Sequence, residues 1–203
     1  MSGTAFPVAT TLEDRVARLE LRAELHDLAA RYCTAVDDRD LDAVLTLFTE
    51  DGSFGHQTDG GVKGHEAIRA HYIERLSGLE YSYHYFHQQL ITGWDGADQA
   101  TGIVSAQAEM GFDGELLVAA MRYHDTYRRV DGAWRFADRR LHFFYFLPAH
   151  ELVAGHLTGP RKRWPGTPSM ADLPQTLESY ERFHSSDELD ESDRTRQLAA
   201  KGA

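Results

Sequence analysis

The sequence predicts an α+β fold, with helices in the first part of the chain and an antiparallel sheet in the second. Up to about residue 76, apolar residues recur at the three- and four-residue spacing of helix faces. The periodicity then changes to long runs that are rich in β-branched and aromatic residues. Asp-Gly pairs at 95–96, 113–114 and 131–132 separate these runs, and such pairs are the strongest short-range signal for a hairpin.

Three helices and one short strand are predicted before residue 80. The first helix covers about Leu12 to Val36, where the apolar residues form one face. Asp40 is expected to cap a second helix from Leu41 to Phe48, because a carboxylate at that position accepts a backbone N–H. A short strand is expected from Ser53 to Gln57, and a third helix from Gly64 to Leu76.

Four long strands are predicted after the third helix, and their short connections imply an antiparallel meander. The strands cover Tyr83 to Trp94, Gln99 to Phe112, Glu115 to Val130 and Ala133 to Leu147. Helices that precede such a sheet are expected to close one of its faces. Residues 1–148 are therefore interpreted as one α+β domain.

The chain after Pro148 is predicted to have two parts. Residues 149–184 lack a regular pattern and are interpreted as a C-terminal extension that packs on the domain or on a neighbouring subunit. Residues 185–203 begin with an acidic stretch that is poor in apolar side chains, which is typical of a disordered tail.

Composition and charge exclude several classes of function. A formal net charge of -11 argues against a nucleic-acid partner and against binding to an anionic membrane surface. The single cysteine, Cys33, rules out an internal disulfide and a cysteine-rich zinc site. The amino terminus lacks the pattern of a signal peptide and no apolar stretch approaches membrane-spanning length, so we expect a cytoplasmic protein.

Asp37 and His87 are the candidate catalytic pair. Asp37 lies where the first helix ends, and His87 lies in the aromatic-rich first long strand. A carboxylate that holds an imidazole fixes its tautomer and stabilises its protonated form, which makes the imidazole a competent general base near neutral pH. Asp40 already suffices as a helix cap, so Asp37 is expected to have another partner. The alternative is that Asp37 only belongs to a capping cluster and that His87 is structural.

Three segments resemble the SnoaL-like branch of the nuclear-transport-factor-two-like superfamily. The segment Tyr127–Phe136, with the sequence YRRVDGAWRF, is similar to a hairpin of that family. Residues 37–52 resemble its helical entry, and Gly64–Ile68 resembles the start of its third helix. The resemblance extends over roughly residues 12–147. It implies a cone-shaped α+β barrel with a deep apolar pocket between the sheet and the helices.

The resemblance also implies roles for individual residues. In dehydratase and dehydrochlorinase members, the base is a histidine on the strand after the third helix. The spacing to Trp94 makes that position correspond to His87 rather than His84. The aspartate at the end of the first helix corresponds to Asp37, and a tyrosine five residues before it corresponds to Tyr32. Tyr32 also lies on the apolar stripe of the first helix, so a role in the core fits it equally well.

Arg139 is the fourth candidate, because the resemblance places an arginine on the last strand, where it would stabilise a leaving group. Strict alternation from Trp134 and Phe136 would put Asp138 and Arg140, and not Arg139, on the same face of the sheet. A β-bulge would reverse that choice, and bulges are frequent next to active sites. Both arrangements stay open at this point.

The expected activity is a cofactor-independent elimination, such as a dehydration, on a small apolar substrate that is cyclic or polycyclic. His87 would remove a proton from carbon, and Asp37 would stabilise the imidazolium. The side chains expected to line the substrate pocket are Phe54, Met121, Tyr123 and Phe144. No nucleotide-binding motif is present, and no histidines stand at a convincing metal-ligand spacing, so neither a cofactor nor a metal is expected.

Two alternatives to the elimination stay open. An isomerase or a polyketide cyclase would use the same base on a carbonyl-activated carbon, and many members of the superfamily are non-catalytic ligand-binding modules. In either case a homo-oligomer is expected, with a trimer favoured over a dimer because the resembling dehydratases are trimers. Phe143 and Tyr145 are expected on the outer face of the sheet, where a monomer would leave an apolar patch exposed.

Overall fold

Helices and strands follow one another in the predicted order in the computed structural model, which describes residues 8–56, 60–155, 159–163 and 168–185. The elements are α1 (Leu12–Asp37), α2 (Leu41–Thr46), β1 (Phe48–His56), β2 (Val62–Lys63), α3 (His65–Ser77), β3 (Tyr81–Trp94), β4 (Gln99–Phe112), β5 (Glu115–Val130), β6 (Ala133–Pro148), α4 (Ala149–Val153) and α5 (Glu178–Ser185). The four long strands are confirmed. The second helix is shorter than expected, because Phe48 already belongs to β1. Nearly all of the predicted acidic tail lies outside the described residues.

The six strands form one mixed sheet in the order β2-β1-β6-β5-β4-β3, and the sheet is not closed. Strands β3 to β6 form the expected antiparallel meander. The short strand β1, whose partner was not predicted, runs parallel to β6 and makes the sheet as a whole mixed. The helix α3 follows β1 and β2 in the chain and precedes β3. It connects those two strands at one edge of the sheet to β3 at the opposite edge.

The helix α1 begins at a capping box and buries one face against the sheet. Thr11 Oγ1 accepts the backbone N–H of Asp14 at 3.1 Å, and the Asp14 carboxylate accepts the backbone N–H of Thr11 at 3.0 Å. The buried side chains of α1 are Leu21, Leu25, Leu28, Ala29, Tyr32, Cys33, Ala35 and Val36. Asp40 caps α2 as predicted, since its carboxylate accepts the N–H of Ala43 at 2.9 Å. None of the helices in the described ranges has the length and apolar character that crossing a membrane requires.

Bulges in β3 and β6 decide which side chains face the helices. His87 is an extra residue of β3, because the pairing with β4 passes from Phe86 directly to Gln88. Ala137 and Phe144 are extra residues of β6 relative to β5. Each extra residue reverses which positions face the helices, so a face that is counted along the strand is wrong after the first extra residue until a second one restores it.

The C-terminal extension takes the place of β1 beside the last part of β6. The pairing of β1 with β6 ends at His56, which lies opposite Leu141. Further along β6, the carbonyl oxygen of Phe143 accepts the backbone N–H groups of Asp172 and Leu173 at 3.0 and 2.9 Å. These bonds bury Asp172 and Leu173 against the sheet.

The outer face of β3 carries three exposed aromatic rings, those of Tyr81, Tyr83 and Tyr85. The expectation that Phe143 lies on the outer face is wrong: the bulge at Ala137 turns the Phe143 ring inward, where it is 5% exposed. The homo-oligomer, with a trimer favoured, stays a prediction.

The free energy of unfolding is expected to fall on acidification, because His142 is buried beside another histidine. Burial, together with the His124 ring at 4.3 Å, lowers the pKa of His142 from 6.5 to about 4. Between these two pH values the unfolded state binds more protons than the folded state, so stability decreases as the pH falls. We expect chemical denaturation to show a loss of about 1–3 kcal/mol for this residue between pH 7 and pH 4.5.

The variant His142→Gln is expected to lose less stability than the wild-type protein over the same pH range. His150→Gln is the matched control, because His150 is exposed and pairs only with the exposed Glu115 at 3.2 Å. Equal pH dependence of His142→Gln and the wild-type protein would contradict this explanation.

Candidate functional site

A cavity of about 100 Å³ lies between the inner face of the sheet and the helices α1 and α3. Most of its wall is apolar, and includes Val36, Leu76, Leu79, Ala108, Met110 and Leu141. Polar groups reach the cavity from α1, α3, β1 and β3. A cavity of roughly 150 Å³ holds a benzene molecule, so this smaller one does not hold a polycyclic molecule unless its wall moves.

Asp37 is the last residue of α1, and its carboxylate is held by the edge strand β3. Its Oδ2 accepts the backbone N–H of His84 at 2.8 Å, and its Oδ1 accepts the Nδ1–H of the His84 ring at 2.6 Å. The hydroxyl of Ser82 donates to Oδ1 at 3.2 Å and itself accepts from Nη1 of Arg39 at 2.5 Å. These donors offset the unfavourable position of a carboxylate at the negative end of a helix. They also give the edge N–H of His84 a partner.

This arrangement fixes the tautomer of His84, which lines the cavity. The bond to Asp37 assigns the ring proton to Nδ1, so Nε2 is the nitrogen that can accept a proton. The two side chains are only 11% and 13% exposed, so the ion pair that forms on protonation is largely shielded from water.

The prediction that Asp37 contacts His87 is wrong. His87 is exposed, and its Nε2 lies 3.2 Å from Oε1 of Gln107 on the neighbouring strand. It lies three residues after His84, so the alternation of the strand already places it on the outer face, and it is also the extra residue of a bulge.

A sequence signal could have identified His84. Ser82 and His84 are the less exposed members of an alternation with three tyrosines, which is the pattern of a half-buried strand. The choice of His87 depended on its spacing to Trp94. That spacing contains two extra residues, His87 itself and Thr92, so it does not show which face of the sheet His87 occupies.

Tyr32 lines the cavity and shares a hydrogen bond with a second phenol. Its hydroxyl lies 2.6 Å from the hydroxyl of Tyr72 on α3. Burial raises the pKa of both phenols well above the usual value, so both keep their protons at neutral pH. Since one phenol donates to the other, the accepting phenol still has an O–H to offer to a ligand.

Arg139 faces the interior but lies beneath the cavity. The bulge at Ala137 turns it inward, and its guanidinium carbon lies 4.1 Å from the ring centroid of Tyr32 and 3.9 Å from that of Tyr123. Its Nε is 3.6 Å from a carboxylate oxygen of Asp125, and both side chains are fully buried. Arg139 is absent from the cavity wall, so it supports the aromatic floor rather than reaching a ligand.

Three of the four predicted pocket residues lie in the cavity wall, namely Phe54, Met121 and Tyr123. Phe144 does not. It is an extra residue of β6, and its ring lies 5.0 Å from the guanidinium carbon of Arg122. Phe143 takes its place in the wall.

A second histidine–carboxylate pair was not predicted from the sequence. Nε2 of His56, at the end of β1, lies 2.7 Å from Oδ2 of Asp172 in the C-terminal extension. The backbone N–H of Phe143 donates to the same oxygen at 2.8 Å, and Nζ of Lys162 lies 3.5 Å from the His56 ring nitrogen. Burial favours a higher pKa for Asp172, but the hydrogen bonds from His56 and Phe143 outweigh it and lower the pKa. Asp172 is therefore an ionised partner for His56.

Other titratable groups do not form a metal site in the part of the chain that the structure describes. No group of three or more histidine, cysteine or acidic side chains there is arranged to hold a metal ion. Cys33 is buried, and burial raises the pKa of its thiol to about 11, so the thiolate that nucleophilic chemistry requires is scarce.

Arg139→Met is expected to lower the free energy of unfolding by about 3–5 kcal/mol, because it leaves the Asp125 carboxylate buried without its partner. The double variant Arg139→Met/Asp125→Leu is expected to recover much of that loss, since it removes both buried charges. Urea denaturation of the single and double variants measures both effects.

Arg129→Met is the control for this pair. Arg129 is 41% exposed and lies 3.9 Å from a carboxylate oxygen of Glu24, and surface pairs of this kind contribute about 0–1 kcal/mol. A loss for Arg139→Met no larger than that of Arg129→Met would show that the buried pair is not a main support of the floor.

The fold and the order of motifs match known proteins. The SnoaL-like domain family matches residues 17–140. A hexachlorocyclohexane dehydrochlorinase (LinA, type 2) has a TM-score of 0.61 and 23% sequence identity, over 66% of this chain and 92% of that protein. A Novosphingobium aromaticivorans protein provisionally assigned as a scytalone dehydratase has a TM-score of 0.62 and 19% identity, over 67% and 92% of the two chains. These two similarities show a shared fold.

A further N. aromaticivorans protein, provisionally assigned as an aromatic ring hydroxylase, has a TM-score of 0.59 and 28% identity, over 66% of this chain and 96% of that protein. No curated protein matches the sequence. The family match covers more than half of the chain and confirms the resemblance of the motifs. This protein belongs to the SnoaL-like domain family, within the nuclear-transport-factor-two-like superfamily.

Proposed function

We propose that the protein is a cofactor-independent lyase in which His84 removes a proton from carbon. The observation that carries this proposal is the 2.6 Å contact between Nδ1 of His84 and Oδ1 of Asp37 in the wall of an apolar cavity. The sequence also suggested a pair of Asp37 with a histidine, but the partner of Asp37 is His84 and not His87.

The geometry suits proton abstraction by an imidazole. Asp37 holds the proton on Nδ1, so Nε2 of His84 accepts a proton from the substrate, and the carboxylate stabilises the imidazolium that results. The apolar wall keeps water from competing for the same proton and strengthens the attraction between the two charges.

The two phenols supply a hydrogen-bond donor for the negative charge that develops on the substrate. Because Tyr32 and Tyr72 keep their protons, the free O–H of the pair can donate to the oxygen of a carbonyl group as it becomes an enolate. A carbonyl group beside the reacting carbon also makes its proton acidic enough for an imidazole. We therefore infer a ring ketone, or a similar carbonyl compound, as the substrate.

The size of the cavity limits the substrate. A volume of about 100 Å³ favours one small ring over a polycyclic molecule. Structural neighbours that are named as a dehydrochlorinase and, provisionally, as a dehydratase support elimination as the reaction type. Elimination requires a leaving group on the carbon next to the one that loses its proton.

An isomerase is the second candidate, because the Tyr32–Tyr72 hydroxyl pair supports it as well as it supports the elimination. A donor for an enolate oxygen serves an isomerisation as well as an elimination. The two reactions differ in the fate of the proton, which an isomerase returns to a second carbon of the same molecule.

The variant His84→Gln is expected to lower the rate of elimination from cyclic β-substituted ketones by roughly 10²–10⁴-fold, the usual effect of a positioned general base. Asp37→Asn is expected to have a comparable effect, because it destabilises the imidazolium. The double variant is expected to be little worse than His84→Gln, since residues that act as one unit are not additive. The absorbance of the enone product reports the rate.

His87→Gln is the matched control, because His87 lies on the same strand but is exposed and outside the cavity. An inactive His87→Gln together with an active His84→Gln would contradict the assignment of the base. Thermal shifts showing that the wild-type protein binds the ketones without turnover at any pH would favour a ligand-binding module instead.

A further inference from the structure

The cavity has a second histidine in its wall that the proposed function does not use. His56 lines the cavity, and its partner Asp172 comes from the C-terminal extension. The side chains of the pair are 7% and 8% exposed, which makes it at least as well shielded as the pair of His84 and Asp37.

The two histidines lie on strands that are far apart in the sheet. His56 lies on β1 and His84 on β3, and these strands are separated by β6, β5 and β4. Four steps between neighbouring strands amount to about 19 Å along the sheet. Both side chains nevertheless line the same cavity.

The contacts of His56 form a built site. Its ring stacks on the ring of Phe143, with the centroids 5.7 Å apart and the planes at 21°. Asp172 is fixed by three contacts, since its carboxylate accepts from His56 and from the N–H of Phe143, and its own N–H donates to the Phe143 carbonyl. The carboxylate at 2.7 Å gives the His56 ring an anionic partner.

The leaving group determines whether the reaction needs an acid in the cavity wall. Hydroxide is a poor leaving group because it is strongly basic, so the loss of a hydroxyl group is assisted by an acid that protonates it. A halide ion is weakly basic and leaves without a proton. Arg139, which the sequence suggested for the leaving group, lies beneath the floor of the cavity.

We propose that His56 is a catalytic acid that protonates a departing hydroxyl group, so that the substrate class is cyclic β-hydroxy carbonyl compounds. This inference rests on the proposed function of His84. His84 takes a proton from carbon, the electron pair of that C–H bond forms the double bond, and the C–O bond breaks. The proton of the His56 imidazolium joins the departing oxygen, and water leaves. The extra proton on His84 and the missing proton on His56 are then exchanged through solvent.

Several charged and titratable groups surround His56 and belong to the same electrostatic environment. The C-terminal extension contributes Asp172 and Lys162, and β6 contributes His142, whose pKa is lowered partly by the charge of His56. On α3, the side chains of His71 and Arg75 line the same cavity.

Two probes that differ only in the leaving group test the proposal, namely 3-hydroxycyclohexanone and 3-chlorocyclohexanone. Both give cyclohexenone, so one absorbance assay measures both rates above the rate in buffer. His56→Gln is expected to lower the rate with the hydroxy ketone by roughly 10²–10⁴-fold and to lower the rate with the chloro ketone far less. His84→Gln is expected to lower both rates.

The outcomes separate this inference from the proposed function. If His56→Gln slows both probes equally, or slows neither, the inference is overturned while the role of His84 stands. If His84→Gln slows neither probe, the proposed function itself is overturned. A wild-type protein that turns over neither probe contradicts the substrate class. His150→Gln, an exposed histidine outside the cavity, is expected to match the wild-type protein with both probes.

Two further measurements keep the test open if His56→Gln does not fold. Asp172→Asn preserves the shape of the side chain and is expected to slow the hydroxy ketone selectively, because the imidazolium loses its counter-charge. The pH–rate profile of the wild-type protein needs no variant. It is expected to be bell-shaped for the hydroxy ketone, with the alkaline limb reporting deprotonation of the acid, and to lack that limb for the chloro ketone. An alkaline limb of the same size for both probes would overturn the proposal.

Discussion

The hydrogen bonds between the Asp37 carboxylate and the edge of β3 are the interactions on which the site depends. They join the end of α1 to the edge strand β3 through Oδ2, which accepts the backbone N–H of His84. The other oxygen, Oδ1, sets the tautomer of the His84 ring. A carboxylate at a helix C-terminus is unfavourable by itself. Its partners on β3 and the guanidinium of Arg39, acting through Ser82, make the position stable. One group therefore fixes the helix on the sheet and orients the His84 ring.

Most of the fold could be predicted from local signals. The Asp-Gly turns at 95–96, 113–114 and 131–132 set the ends of the long strands, and the carboxylate of Asp40 marks the start of α2. The parallel pairing of β1 with β6 was not predictable in the same way, because no local pattern reports which strand lies beside a short strand that is distant in sequence. The same holds for the C-terminal extension, whose hydrogen bonds to β6 are made by a segment without regular periodicity.

The site was predicted in part, and bulges explain the errors. Tyr32 and three of the pocket residues line the cavity, and Asp37 holds the lining residue His84, but the extra residues of β3 obscure the register of His87 and the extra residue Ala137 of β6 exchanges Phe144 for Phe143. A bulge changes the face of every later residue and leaves no clear mark in the sequence. The pair of His56 and Asp172 was missed for another reason, since its members are 116 positions apart and only the folded chain brings them together.

Exchange of carbon-bound protons tests the central claim, that His84 is a general base in this cavity, most directly. Cyclohexanone has acidic protons beside its carbonyl group but no leaving group, so its exchange in D₂O isolates proton removal from every later step. Proton NMR is expected to show that the wild-type protein speeds the loss of the signal from these protons, and that His84→Gln does not. Equal exchange rates with the wild-type protein, with His84→Gln and in buffer alone would contradict the account.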